Sequence, residues 1–266
     1  MAVVSPSMTE TGLLAVGCGV FGLLIGSFLN VVIWRIPRDE SIVHPPSHCP
    51  QCDTEIKPYD NIPVVSWVLL RGRCRACRAG ISVRYPLVEL ACGVLWAAIA
   101  LRFGATWALP AYLVLVSALL ALSLIDFDTF LLPDKIVYPL GVVLVVLFGA
   151  AALVEDAGGD YVRALLGGLA AFAFFLTVHL IAPRGMGFGD VKLSFSLGVA
   201  LGWISWGSVF LGLFLGFFLG AVIGMILIAT KVRSRRDHVP FGPFLAAGTV
   251  LAILFGAPLL DLYMGR

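Results

Sequence analysis

Gly187-Phe188-Gly189-Asp190-Val191-Lys192-Leu193 sets an aspartate between apolar stretches, with Arg184-Gly185-Met186 leading into it. Residues 191–230 that follow are apolar almost throughout. A carboxylate at the edge of such a run lies at membrane depth, where ionisable side chains are expensive and mark function. The glycines ahead of it open backbone angles closed to other residues and let another chain approach closely. Asp190 therefore reads as half of a catalytic carboxylate pair whose other half lies elsewhere in the chain.

The same apolar character runs through all 266 residues: 60% are hydrophobic, 13% are charged and the mean hydropathy is +1.00. The apolar residues come in long runs rather than alternating, which predicts an all-α polytopic membrane protein and argues against a soluble domain with a large core. The net charge of +2 carries no message, because the charges are concentrated in loops. The bilayer is the expected surrounding, and no nucleic-acid partner is expected. The first run begins about ten residues in, with no basic segment before it, so it reads as a retained span rather than a cleaved signal.

Eight spans are expected. They cover about Thr11–Ile33, Pro86–Leu101, Leu109–Ile125, Ile136–Val154 and Ala164–Ala182, then two crossings within 191–230 separated by a tight turn near Gly202–Gly207, then Phe241–Leu262. Gly212, Gly216, Gly220 and Gly224 form a small-residue stripe suited to helix packing. Asn30, inside the first span, needs a hydrogen-bond partner and so faces protein. Pro37 ends that helix. Residues 35–84 break the pattern, with eight Lys/Arg, five Asp/Glu, six prolines and four of the six cysteines. They read as a small soluble domain, too short for a core of its own and in need of a staple. The resulting division is 1–34, a tail and first span; 35–84, the cysteine domain; and 85–266, a seven-helix membrane domain. With eight spans, loops 35–84, 126–135, 183–192 and 231–240 share one side and hold 15 Lys/Arg, against Arg102, Arg163 and Arg266 on the other. That asymmetry places the cysteine domain in the cytoplasm and both termini outside.

Cys49-Pro50-Gln51-Cys52 and Cys74-Arg75-Ala76-Cys77 are two CxxC knuckles 21 residues apart. That spacing suits a tetrahedral zinc site of four thiolates, and a reducing cytoplasm disfavours disulfides. Four thiolates leave no open position, so the zinc is expected to be structural. His44 and His48 nearby read as surface residues.

The partner of Asp190 must share its depth and side. Asp126 does: it closes the third span, and two crossings later Asp190 opens the sixth. Asp128 lies about 200° around the helix from Asp126, and Asp134 reads as a helix-end carboxylate after Pro133. Two carboxylates a few ångströms apart do not both ionise; one holds a proton while the other acts as base on water. Membrane carboxylates serve proton or ion transport as well, so peptide hydrolysis and a transporter or channel stand level on these residues alone.

The assembled motifs resemble the type 4 prepilin peptidases, membrane aspartyl proteases with a GxGD motif. The likeness rests on Gly26-Ser27-Phe28-Leu29-Asn30-Val31-Val32 with Arg35-Ile36-Pro37, the paired knuckles, Arg84-Tyr85-Pro86-Leu87-Val88-Glu89, Asp126 ahead of Pro133-Asp134, Gly187–Leu193, and Pro240-Phe241-Gly242-Pro243. The resemblance implies that Asp126 and Asp190 are the catalytic pair, supported by Gly187, Gly189 and Lys192. It implies an enzyme of the bacterial inner membrane that cuts the short basic leaders of prepilins and pseudopilins after a glycine, on the cytoplasmic side. It also implies N-methylation of the new terminus with S-adenosylmethionine. No glycine-rich nucleotide loop follows a strand. Asn30, Arg35 and Glu89 flank the cysteine domain and either hold the methyl donor or serve packing. Lys192 either favours an ionised Asp190 or snorkels to the interface. Pro240 and Pro243 either start a helix or shape a substrate cleft.

Overall fold

The computed structural model describes residues 8–183, 186–231 and 239–264. Among these the chain is all-α, with α1 (Met8–Arg35), α2 (Val65–Leu69), α3 (Arg84–Phe103), α4 (Leu109–Thr129), α5 (Asp134–Glu155), α6 (Gly158–Ile181), α7 (Phe188–Ile204), α8 (Trp206–Ala229) and α9 (Gly242–Met264). Of the basic residues behind the predicted orientation, Arg184, Arg233, Arg235, Arg236 and Arg266 lie outside the described residues.

Among the described residues six helices, not the expected eight, are long and apolar enough to cross a membrane. By length and composition α1, α3, α4, α5, α6 and α8 suffice to cross a membrane. The 17 residues of α7 rise only about 25 Å at ~1.5 Å each, short of a ~30 Å hydrocarbon core. α9 spans 23 residues, and its described part Gly242–Gly256 is a shorter apolar stretch. The turn expected near Gly202–Gly207 is a single residue: Ser205 ends α7, and its hydroxyl caps α8 by accepting from the Ser208 N–H at 3.0 Å.

The chain divides into two compact units, one up to Ala105 and one from Thr106. The first pairs α1 with α3. Small residues let the two backbones touch: a Cβ on Gly26 would lie 2.7 Å from Glu89 Cα, and one on Gly22 would lie 2.8 Å from Trp96 Cβ. In lipid, apolar burial gives helices no preference for one another, so close packing of this kind carries the association. Asn30 donates to the Tyr85 carbonyl at 3.2 Å across the same pair. Residues 36–83 connect the two helices and hold α2 and the cysteines.

The second unit is built around α4, the most enclosed of the six long helices. Buried Tyr112 on α4 donates to the Ala200 carbonyl of α7 at 2.9 Å and meets Phe148 of α5 edge-on, and Phe148 stacks on Trp203. Two backbone-close contacts set the other helices. A Cβ on Gly198 of α7 would lie 2.4 Å from the Gly167 carbonyl of α6, and one on Gly248 of α9 would lie 2.4 Å from Gly216 N of α8. In the predicted stripe, Gly212 meets Leu201 of α7, Gly216 and Gly220 meet residues near the start of α9, and Gly224 faces open space. Arg163 of α6 closes the far end of α7, donating to the carbonyls of Gly202, Trp203 and Ile204 at 2.7, 2.6 and 3.1 Å. Those carbonyls would otherwise lack partners.

Candidate active site

Asp126 lies in the last turn of α4. The helix stops because Phe130 takes a left-handed conformation (φ 55°) and returns its N–H to the Asp126 carbonyl at 2.9 Å. Asp190 lies in the first turn of α7, which Gly187 opens, with the Asp190 N–H bonded to the Gly187 carbonyl at 3.1 Å. Both side chains are buried, at 5% and 6% exposure, and Asp190 is within electrostatic reach of Asp126.

Their surroundings differ. The dipole and free amides of a helix N-terminus favour negative charge at Asp190, whereas the C-terminal end of α4 opposes it at Asp126. A backbone amide from a third helix offsets that opposition: Gly242 N–H, at the start of α9, donates to Asp126 Oδ2 at 3.0 Å. Asp190 Oδ1 is buried with no hydrogen-bond partner among the described residues, so an acceptor remains available for water or a peptide N–H.

Leu132 fills the space between these elements. A Cβ on Gly189 would lie 2.9 Å from Leu132 Cβ, and one on Gly242 would lie 2.8 Å from Asp126 Oδ2 and 3.3 Å from Leu132 Cδ2. Only glycine fits at either place without displacing a neighbour. Gly187 is roomier, its would-be Cβ at 3.3 Å from Asp190 Oδ2.

Lys192 pairs with Asp134, at the start of α5, and its ammonium lies over the rings of Tyr138 and Phe188. The pair joins α7 to α5 two residues beyond Asp190. His179 had no signal in the sequence, being a lone histidine in an apolar helix. Its Nδ1 meets the Met186 carbonyl at 2.9 Å and its ring contacts Phe188, so α6 holds the segment that leads into Asp190.

In the first unit the two CxxC segments form the same knuckle twice. The N–H of Cys49 donates to Thr54, Asp53 N–H to Cys49 and Ile56 N–H to Ser47; Cys74 N–H donates to Ala79, Arg78 N–H to Cys74 and Ile81 N–H to Gly72. The fifth residue of each knuckle is left-handed, Asp53 at φ 52° and Arg78 at φ 64°. The four sulfurs lie within 4.8 Å of one another, with Cys49 and Cys77 at 3.8 Å. A tetrahedron with ~2.3 Å metal–sulfur bonds has edges of about 3.8 Å, so the donor set fits zinc. The Thr54 hydroxyl and backbone lower the Cys52 thiol to about 6, and backbone N–H groups of Cys77 and Ala76 lower Cys74. These two shifts favour the thiolate that a metal takes, while the neighbouring thiols of the cluster push Cys77 up to about 11.

Asn30, Arg35 and Glu89 line one cavity of about 1180 Å³ between this domain, the C-terminal end of α1 and the N-terminal end of α3. Their polar atoms are engaged in its walls. Arg35 donates to the carbonyls of Ser41 and Pro45 at 2.8 and 2.7 Å, and Glu89 accepts the Val64 N–H at 2.7 Å. Val64 is a β-branched residue at φ 61°, ψ −48°, a strained conformation worth about 1–3 kcal/mol, and Glu89 holds it there.

Comparison with known proteins gives the same division of the chain. A model described as "Bacterial Peptidase A24 N-terminal domain" matches residues 20–103, and one described as "Type IV leader peptidase family" matches 113–225. Curated relatives named prepilin leader peptidase/N-methyltransferase include those of Stutzerimonas stutzeri, 40% identical over 92% of each chain, and Pseudomonas aeruginosa, 37% identical over 92% of this chain and 91% of its own. The relative from Aeromonas hydrophila is 37% identical over 92% of each. No solved structure matches. Matched over nearly its whole length by these relatives, with both aspartates inside the second region, the chain belongs to the type IV leader peptidase family of prepilin leader peptidase/N-methyltransferases.

Proposed function

We propose that this chain is an aspartyl endopeptidase that cuts the basic leader from type 4 prepilins and pseudopilins after a glycine, and methylates the new N-terminus. Asp126 and Asp190 are the catalytic pair. One carboxylate takes a proton from water as the water attacks the peptide carbonyl; the other, protonated, donates to the developing oxyanion or the leaving nitrogen. The single observation that carries this reading is that two buried aspartates on different helices lie within electrostatic reach of each other, one oxygen bonded to the Gly242 amide and another free to accept. Gly189 keeps the entry to α7 narrow against Leu132, Gly187 opens its first turn, and Lys192 with Asp134 fixes its register against α5. A glycine at the cut lets a substrate helix unwind locally.

Cys49, Cys52, Cys74 and Cys77 would hold a structural zinc, which would lock the two knuckles together. S-adenosylmethionine supplies an electrophilic methyl group. The cavity bordered by Asn30, Arg35 and Glu89 is large enough for it, and those three residues keep its walls in place. We place the chain in the bacterial inner membrane with the cysteine domain and the aspartates toward the cytoplasm. The excess of basic residues on that side supports the orientation. The two families' worth of matched sequence leaves the transporter alternative without support.

The test is to incubate membranes carrying Asp126→Ala or Asp190→Ala with a prepilin and read its N-terminus by mass spectrometry. Both variants should leave the leader in place. Normal processing by either one refutes the pair.

A further inference from the structure

The cysteine domain carries an apolar face that its own packing does not explain. On α2, Ser66 is buried, donating to the Tyr59 carbonyl, and Trp67 donates to the Ile81 carbonyl at 3.1 Å, so this side belongs to the domain. The opposite side shows Val65, Val68 and Leu69 at 50%, 58% and 77% exposure. Three large aliphatic side chains on five residues of helix would be costly in water.

The position of α2 says what covers them. The N–H of Val64, which opens α2, is bonded to the Glu89 carboxylate. Glu89 lies five residues inside α3, counted from Arg84, which is about 7.5 Å along the helix axis. α3 is one of the helices long and apolar enough to cross the bilayer. Measured from the start of α3, that level matches the ~5–10 Å depth at which interfacial helices bury their apolar face. The strained backbone of Val64, closed by a Val65 N–H to Pro63 carbonyl bond of 2.6 Å, turns the chain into α2 at this depth rather than above it. The exposed Leu87 and Leu90 of α3 continue the apolar surface at the same level.

Charge agrees. Residues 61–84 contain five arginines, at 71, 73, 75, 78 and 84, and no Asp or Glu; the five acidic residues of the domain all lie in 39–60. Arg75 is paired with Asp60 at 2.6 Å, so the excess is carried by Arg71, Arg73 and Arg78, and the half of the domain that includes α2 suits an anionic leaflet.

We propose that α2 is an interfacial anchor whose Val65, Val68 and Leu69 lie in the leaflet that α3 enters, pressing the arginine-rich half of the cysteine domain onto anionic headgroups. The domain is thereby a peripheral membrane module as well as a loop between spans.

Two experiments on the full chain in nanodiscs containing phosphatidylglycerol test this. Hydroxyl-radical footprinting of the unaltered chain should oxidise Val65, Val68 and Leu69 at least about 5-fold more slowly than Val43, which is as exposed in the protein alone. Equal rates overturn the proposal. A photo-crosslinking residue at Leu69 should attach to lipid acyl chains, while the same residue at exposed Glu55 should not. Attachment at position 69 to a second copy of the chain, or no more lipid there than at position 55, overturns it as well. The footprinting needs no variant, so a failure of the substituted chain to fold does not shield the idea.

Discussion

Gly242→Ala is the sharpest perturbation of the aspartate pair. A methyl group at that position would sit 2.8 Å from Asp126 Oδ2, and ordinary contact begins at 3.4 Å, so the carboxylate has to retreat by about 0.6 Å. Leu132 Cδ2, at 3.3 Å from the same methyl, closes one way out. The retreat stretches the 3.0 Å bond from Gly242 N–H. A bond to a charged acceptor is worth about 1.5–3 kcal/mol, and at ~1.4 kcal/mol per tenfold the cleavage rate should fall roughly 10- to 150-fold. The fold should survive, because the strain falls on one side chain and not on a helix contact. Gly224→Ala is the control: nothing lies within 4 Å of its would-be methyl, and alanine is the better helix former by about 1 kcal/mol. The assay is single-turnover cleavage of a prepilin, run beside methylation of an already cleaved pilin and a thermal melt. Wild-type cleavage by Gly242→Ala refutes the argument. So does a parallel loss of cleavage, methylation and melting temperature, which would mean global damage.

Other changes should separate the parts. Arg163→Ala removes three hydrogen bonds at the end of α7 and should lower stability by about 2–3 kcal/mol, read as a lower melting temperature with cleavage intact at a permissive temperature. His179→Ala frees the segment before Asp190 and should slow cleavage about tenfold, since small misplacements at a reacting centre are costly; His179→Asn, which can restore a bond to the Met186 carbonyl, should recover most of it in the same assay. Chelation, or Cys74→Ser, should loosen residues 36–83 in hydrogen exchange and reduce methylation more than cleavage; equal loss of both would argue against separable roles.

The sequence made the large features legible because each has a local signature. Apolar runs marked the membrane helices, the doubled CxxC marked the cysteine cluster, and Asn30 in an apolar span announced a partner, found in the Tyr85 carbonyl. The count of crossings was less legible. Hydropathy alone reads 191–230 as two spans, yet Ser205 divides that stretch unequally and leaves α7 with 17 residues. The supports of the aspartates were also hidden. The pairing of Lys192 with Asp134 joins residues 58 apart, and the Gly242 amide reaches Asp126 across 116. Contacts that depend on how helices cross leave no periodicity behind. His179 and Val64 show the same limit: a lone histidine and an ordinary valine acquire their roles only from what the fold places beside them.

The geometry of the aspartates is then set mainly by glycines that lie far from them. Asp190 rides on α7, and α7 is fixed against α6 where Gly198 meets the Gly167 carbonyl. Gly242 starts α9, and α9 is fixed against α8 where Gly248 meets Gly216. Neither contact has room for a methyl group, and neither can be exchanged for a hydrophobic one, because lipid satisfies apolar side chains as well as protein does. In a soluble protein a shifted helix would bury different apolar surface at similar cost. Here a shift loses backbone-close packing and gains nothing from lipid. The narrow tolerance at these glycines is what holds a carboxylate on one helix and an amide on another within hydrogen-bond distance, and it explains why so apolar a sequence keeps small residues at its helix contacts instead of filling them.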